Sequence, residues 1–212
     1  IKYSFFYFIS FFLRYFIKPD KNTMVFSTHG GKTYDGNAKY MFIYCSKYTN
    51  YNCIWVTKNQ HIKKEIEQSG YKCIYYFSLN TLVLTLRAKY VFITHSISDV
   101  MPVFFNHKTI IINLWHAIPI KNVNFLDKNL SLISRLIDFW RDKRCNHFIS
   151  NDRSFNETYL RCFKIKHDKI IVGGLPRIDF LMNPLKYIPN KKNPFMKNKI
   201  IYIYAPTFRD YD

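Results

Sequence analysis

From residue 23 to residue 172 the chain repeats one pattern. A short run of consecutive apolar residues is followed by a longer stretch whose apolar residues recur every third or fourth position. Short apolar runs predict strands buried on both faces, and the longer stretches predict helices. Strands are predicted over residues 23–28, 52–56, 72–76, 90–94, 110–114, 147–150 and 169–172. Helices are predicted over about 37–48, 60–69, 79–87 and 130–143, with a further one capped by Asn151 and Asp152 and running to about Phe163. Strand–helix alternation of this kind predicts an α/β fold with a doubly wound parallel sheet.

The two ends depart from the pattern. Residues 1–18 are almost wholly aromatic and aliphatic, with Ser10, Arg14 and Lys18 on one helical stripe. A helix of that length spans roughly 26 Å, slightly short of the ~30 Å hydrocarbon core of a bilayer. It is expected to lie in a membrane interface, held by its aromatic and basic residues. The end of a transmembrane span and a helix packed on a protein core are the alternatives. Residues 184–198 are rich in Pro, Lys and Asn and predict a linker. An apolar run at 200–204 then predicts the first strand of a second α/β domain over 199–212. The domain unit between helix and linker is expected over 23–183. The chain starts without Met and stops soon after that last run, so a fragment is expected.

Charge adds a class of partner. The chain carries 32 basic and 14 acidic residues, a net charge of +18. That excess favours a polyanionic partner, but the Lys residues are scattered and no nucleic-acid module is recognised, so nucleic acid is not expected. The five Cys are odd in number and form no C-x-x-C pair, which favours reduced core thiols over disulfides or a zinc site. No spacing suggests metal ligands, and no cofactor is expected.

The candidate chemistry sits at strand ends. The 110–114 strand stops at Trp115-His116, with Pro119 and Lys121 close behind. In an open parallel sheet, reactions occur beyond the carboxyl ends of the strands, and a His there can move a proton near neutral pH. Lys121 offers a positive charge to an anionic substrate. Thr94-His95-Ser96 ends another strand at the same edge. After the first strand, His29-Gly30-Gly31-Lys32 forms a glycine turn before a helix, compatible with phosphate or acceptor contacts at Gly30, Gly31 and Lys32. Arg177 follows Gly173-Gly174-Leu175-Pro176, where its fork can hold a phosphate.

Three patterns stand together: Trp115-His116-Ala117-Ile118-Pro119-Ile120-Lys121, Gly174-Leu175-Pro176-Arg177-Ile178-Asp179, and Tyr204-Ala205-Pro206-Thr207-Phe208-Arg209-Asp210. With Phe26-Ser27-Thr28-His29-Gly30-Gly31-Lys32-Thr33-Tyr34 and Tyr76-Phe77-Ser78-Leu79, their order resembles the CDP-glycerol glycerophosphotransferase family of teichoic-acid and capsule synthesis. The resemblance covers nearly the whole chain. It implies a glycosyltransferase-B-like fold, peripheral to the cytoplasmic face of the membrane. It implies transfer of glycerol phosphate from CDP-glycerol to a hydroxyl of a lipid-linked anionic polymer, releasing CMP. By the same match His116 is the general base, and Trp115, Ala117, Ile118, Pro119, Arg177, Pro206 and Thr207 contact the donor. Ala117-Ile118 stand where the family has Gly-Thr, which keeps open another donor, a CDP-alditol such as CDP-ribitol or a nucleotide sugar. A non-catalytic module on the membrane surface is the further alternative.

Overall fold

A computed structural model describes residues 2–101, 103–117, 123–127 and 130–183. Seven strands form one sheet: β1 (Asp20–Phe26), β2 (Asn52–Thr57), β3 (Lys72–Tyr75), β4 (Ala88–Ile93), β5 (Ile110–Asn113), β6 (His147–Ser150) and β7 (Ile170–Val172). Their spatial order is β3-β2-β1-β4-β5-β6-β7, and every neighbouring pair is parallel. The chain winds outward from β1 to β3, returns to the other flank of β1 with β4, and winds outward again to β7. The reversal between β1 and β4 opens a crevice beyond the carboxyl ends of those two strands, where open α/β sheets place their ligands.

Alternation along each strand feeds two layers. Met24 and Phe26 of β1 face one side, where they meet Ala38, Phe42 and Cys45 of α2 (Gly36–Tyr48) and Ile66 of α3 (Gln60–Gln68). Phe26 stacks on Phe92 of β4, ring centres 4.7 Å apart and planes at 5°. Val25, Val91, Ile93 and Ile111 face the other side, with Leu82 and Leu86 of α4 (Leu79–Arg87) and Phe163 of α6 (Asn156–Phe163). All five Cys are buried free thiols within these layers.

Local chemistry sets the helix ends. The Asn59 side chain accepts from the His61 and Ile62 N–H groups at the start of α3, and Ser78 Oγ accepts from Thr81 N–H at the start of α4. Ser131 does the same for α5 (Leu132–Arg144). The expected Asn151-Asp152 cap is displaced. Asp152 caps a 3-10 turn at Arg153–Phe155, and α6 continues from it without a side-chain cap. One helix, α7 (Pro176–Met182), was not foreseen in a segment read as a glycine turn. Its Pro176 stands in the first turn, where a missing N–H costs nothing.

The first helix, α1 (Lys2–Phe16), is turned the other way from a simple amphipathic reading. Its polar stripe faces inward at Ser10, with Arg14 half-buried and Lys18, beyond the helix, exposed. Ser10 is fully buried, its Oγ donating to the Tyr7 carbonyl and accepting from Phe104 N–H at 2.9 Å. Asn106 Nδ2 donates to the carbonyls of Arg14 and Ile17, at 2.7 and 2.8 Å. The cause is the loop at 103–106, whose backbone and amide donors need acceptors once covered. Phe6 reaches the core beside these polar contacts, while Phe8, Phe12, Tyr15 and Phe16 remain exposed, Phe16 at 81%. Among the described residues no helix is long and apolar enough to cross a membrane. The predicted linker and the strand at 200–204 lie outside the described residues.

Candidate functional site

Three strand ends converge on the crevice, and each ends in a histidine loop. β1 runs into Ser27-Thr28-His29, β4 into Thr94-His95, and β5 into Leu114-Trp115-His116. Hydroxyls stitch the ends together below the rings. Ser27 Oγ donates to the Val56 carbonyl at 2.8 Å, and the Thr28 and Thr94 hydroxyls lie 2.5 Å apart.

A buried carboxylate fixes the two central loops. Asp99 is 1% exposed. Its Oδ1 accepts from Gly30 N–H at 2.8 Å, and its Oδ2 accepts from Thr94 and His95 N–H at 3.0 and 2.9 Å. Burial raises its pKa above the usual carboxylate range, while these backbone donors pull the other way. Neither oxygen is directed to a cation, so Asp99 acts as a clamp between the 28–31 and 94–96 loops. Gly31 sits against this clamp with φ +79°, and a Cβ there would lie 2.6 Å from the Tyr76 ring. Only glycine fits both demands.

The β5 end is set by strain and by one amide. Trp115 is buried and holds a left-handed backbone, φ +49°. A bulky residue in that region is uncommon and persists only where its surroundings enforce it. Its ring packs edge-on against Phe163 at 4.6 Å, its N–H donates to Asn113 Oδ1 at 2.9 Å, and its carbonyl accepts from Asn37 Nδ2 at 2.7 Å. Asn37 also donates to the Leu114 carbonyl and accepts from Arg177 N–H through Oδ1 at 3.4 Å. One fully buried amide at the start of α2 therefore joins the Trp115-His116 turn to the start of α7.

This geometry chooses the protonation of His116. Its Nδ1 faces the Thr94 carbonyl at 3.4 Å. A carbonyl only accepts, so the proton belongs on Nδ1 and the neutral ring keeps a lone pair on Nε2. Burial lowers the His116 pKa, and the charges of His29 and Arg177 lower it further against the opposing Thr94 contact. The ring is therefore neutral at pH 7. A neutral imidazole of this tautomer at the carboxyl edge can accept a proton from a hydroxyl.

The expected site residues fall into three groups. His116, Trp115, Ala117 and Arg177 are gathered at this edge, with Arg177 close enough to act on the His116 charge. Gly30 and Gly31 are there too, but their N–H groups go to Asp99 and the Thr28 carbonyl, and Lys32 N–H goes to the His29 carbonyl. The turn keeps its backbone donors for itself. An anion at that place would meet the exposed Lys32 side chain rather than backbone amides. Ile118, Pro119, Lys121, Pro206 and Thr207 lie outside the described residues. Asp99 and the bridging role of Asn37 were not foreseen. Asn37 acts through backbone groups distant in sequence, which leave no local spacing to find, and Asp99 joins a local turn at 94–95 to Gly30, a link that no residue spacing reveals.

The His95 and His116 rings lie face to face, with planes at 7°, and the His29 ring is tilted at 45° to His95. Among the described residues no three His, Cys, Asp or Glu side chains come together to hold a metal ion.

A family model described as CDP-glycerol:poly(glycerophosphate) glycerophosphotransferase matches residues 9–212. The chain is 26% identical over 206 residues to a teichoic acid glycerol-phosphate transferase of Staphylococcus aureus, covering 91% of this chain and 51% of that protein. It is 28% identical over 209 residues to a teichoic acid poly(glycerol phosphate) polymerase of Staphylococcus epidermidis, covering 92% of this chain and 28% of that one. The chain thus spans about half, or less, of the curated relatives it matches. Among solved structures, the wall teichoic acid polymerase TagF superposes with a TM-score of 0.67 at 22% identity, over 80% of this chain and 43% of that chain. A TagF variant soaked with CDPG gives 0.65 at 20% identity, over 80% and 44%. At these identities the likeness establishes a shared fold.

Proposed function

The chain belongs to the CDP-glycerol:poly(glycerophosphate) glycerophosphotransferase family, and on that premise we propose that it carries the general-base half of a glycerophosphotransferase of teichoic-acid synthesis. The reaction is attack of an acceptor hydroxyl on the β-phosphorus of CDP-glycerol. The acceptor is a lipid-linked anionic polymer. His116 Nε2 takes the hydroxyl proton as the new P–O bond forms. The bond from the β-phosphorus to the bridging oxygen breaks, and CMP leaves with that electron pair. Phosphoryl transfer of this kind depends on positioning and charge neutralisation more than on covalent help. Arg177 supplies a guanidinium beside the base, suited to the pyrophosphate. Trp115, Ala117, Ile118, Pro119, Pro206 and Thr207 complete the donor contacts in this proposal, with Lys32 and Lys121 as further cations. No cofactor or metal takes part.

The observation that carries the reading is His116 beside the crevice of the strand-order reversal, its Nδ1 facing the Thr94 carbonyl, with Arg177 N–H tied to the same turn through Asn37. The test is CMP release from CDP-glycerol by the natural full-length protein on acceptor-bearing membranes. His116→Ala should lower kcat by about 10²–10⁴-fold, the contribution of a positioned base. Near-normal turnover in that variant would remove His116 from the role. Ala117 favours one second reading, since a Cβ stands where the family has glycine: a different CDP-alditol or nucleotide sugar is then the donor. A donor panel in which CDP-glycerol is outcompeted would establish it, and absence of turnover with every donor would leave a binding module.

We place the protein peripherally on the cytoplasmic membrane face. Support comes from the exposed aromatics of α1 and the exposed Leu132, Ile133, Leu136, Ile137 and Trp140 of α5. The two helices flank a cavity of about 450 Å³ lined by Arg14, Arg141 and Arg144 with Phe104 and Trp140. Apolar rings beside cations match an anionic bilayer surface. Release by alkaline carbonate is the expected extraction behaviour.

A further inference from the structure

Three imidazoles from three strand ends form a column across the crevice. His95 is the middle ring. Its centre lies 3.8 Å from that of His29, planes at 45°, and 4.4 Å from that of His116, planes at 7°. The near-parallel pair covers one face of the His116 ring, and Trp115 lies 4.3 Å from its centre. His95 is itself held from below. Its N–H is bound by Asp99, and its Nδ1 lies 2.8 Å from the Thr94 hydroxyl.

Basic groups stand around the column. His29 follows β1, Arg177 begins α7, and Lys58 follows β2 with its ammonium above the Tyr76 and Phe77 rings. The acid of this region, Asp99, gives both oxygens to backbone N–H groups. A second proton on the column would meet a neighbouring imidazole at stacking distance, while the Asp99 oxygens stay on backbone N–H groups. Burial, with the charges of His116 and His29, pushes the His95 pKa down to about 3, so the middle ring stays neutral through the physiological range.

We propose that His95 is a positioning residue for His116: its flat neutral ring shields one face of the His116 imidazole from water and fixes that ring's plane, so that Nδ1 stays on the Thr94 carbonyl and Nε2 stays bare. The consequence for catalysis rests on the reading of His116 as the base, but the structural role does not. Both properties asked of His95 are those of an aromatic plate. Phenylalanine should therefore replace it, and alanine should not.

The test is a carbon-edited NMR titration of the histidine ring signals of this chain. In the wild type, His116 should titrate below the ordinary histidine value of about 6.5, with the Nδ1–H tautomer. His95→Ala should raise its midpoint by about one pH unit as water reaches the ring, and should mix the tautomers. His95→Phe should keep both near wild type. A cooperative thermal melt of each variant reports on its global folding. A wild-type His116 that titrates at the ordinary value overturns the proposal with no variant needed. So does an unchanged His116 in a folded His95→Ala, or a His95→Phe that behaves like the alanine variant. In turnover by the full-length protein, the acidic limb of kcat/KM should follow the same shifts. If His116→Ala keeps full turnover while the NMR shifts occur as expected, the base assignment fails and the positioning role of His95 stands.

Discussion

The carboxyl edge of the sheet and the outer face of α1 invert the usual partition of residues in opposite senses. At the edge, polar groups are buried: Asp99, Asn37, Thr28 and Thr94 are all 1% exposed or less, and each has hydrogen-bond partners. On α1, large aromatics are exposed, while the polar Ser10 is buried with Phe6. Satisfied buried polar groups hold a geometry rigidly. Exposed contiguous apolar residues mark a surface that meets something else. The first region can position atoms for chemistry and the second cannot. The second can give adhesion at little cost to the fold, and the first cannot be altered without disturbing it.

The largest expected effect comes from breaking the edge. Asn37→Ala leaves the Leu114 and Trp115 carbonyls and Arg177 N–H without their partner, and should cost about 3 kcal/mol. For a domain of this size that is a fall in Tm of about 10 °C by calorimetry, and His116 should lose its alignment with it. Gly31→Ala should cost about 2 kcal/mol, because a positive φ and a close ring act together. Its midpoint in urea should fall with the slope unchanged.

Smaller effects sharpen the contrast on the other side. Asp142 lies buried beneath the exposed face of α5 and accepts from Asn124 Nδ2 at 3.1 Å. Burial raises its pKa to about 7, whereas an unfolded carboxyl titrates near ~3.9. The folded state therefore binds more protons between those values, and stability falls as pH rises through that window. Asp142→Asn should remove this fall, gaining about 1 kcal/mol at pH 8 and nothing at pH 4 in parallel melts. Ser10→Ala should cost about 1 kcal/mol by leaving Phe104 N–H unpaired. The double change Phe8→Ser with Phe12→Ser should leave stability within about 0.5 kcal/mol of wild type, while association with anionic vesicles in a sedimentation assay falls about tenfold. An unaltered vesicle association would remove α1 from the adhesive role.

Much of the sheet was legible because each strand contains a short apolar run, buried most fully in β2 and β4, and most connecting segments are helical, although the described residues of 94–109 hold only a 3-10 turn and β7 is exposed at Ile171 and Val172. The limits of α4 and β6 match their predicted spans. The missed helix, α7, is short and begins at a proline next to glycines, so its turn composition outweighed its periodicity. The orientation of α1 was illegible for a different reason. A polar stripe on an aromatic helix reads as the wet side until the donors at Phe104 and Asn106 are known to lie beneath it. In the site, His116 stood out because a strand ends there. Asn37 did not, since its partners are main-chain groups 77 or more positions away, and Asp99 did not, since its link to Gly30 N–H spans 69 positions even though its contacts to Thr94 and His95 N–H are local. His95 was visible as a strand end, but only the sheet order puts β4 beside β1 and its ring between two others.

The Asn37 bridge also sets an order of events. It links residues 77, 78 and 140 positions apart, among the most distant contacts a domain this size can make, and such contacts form late because long loops must close first. During synthesis the amide at 37 emerges early and has to wait for the turn at 115 and then for residue 177. A nascent chain that has exposed only β1–β3 therefore lacks the Trp115 and Arg177 partners of this amide. The turn at 115 and the start of α7 are joined only once residue 177 is in place, so this junction is a signature of a finished layer rather than of a growing one.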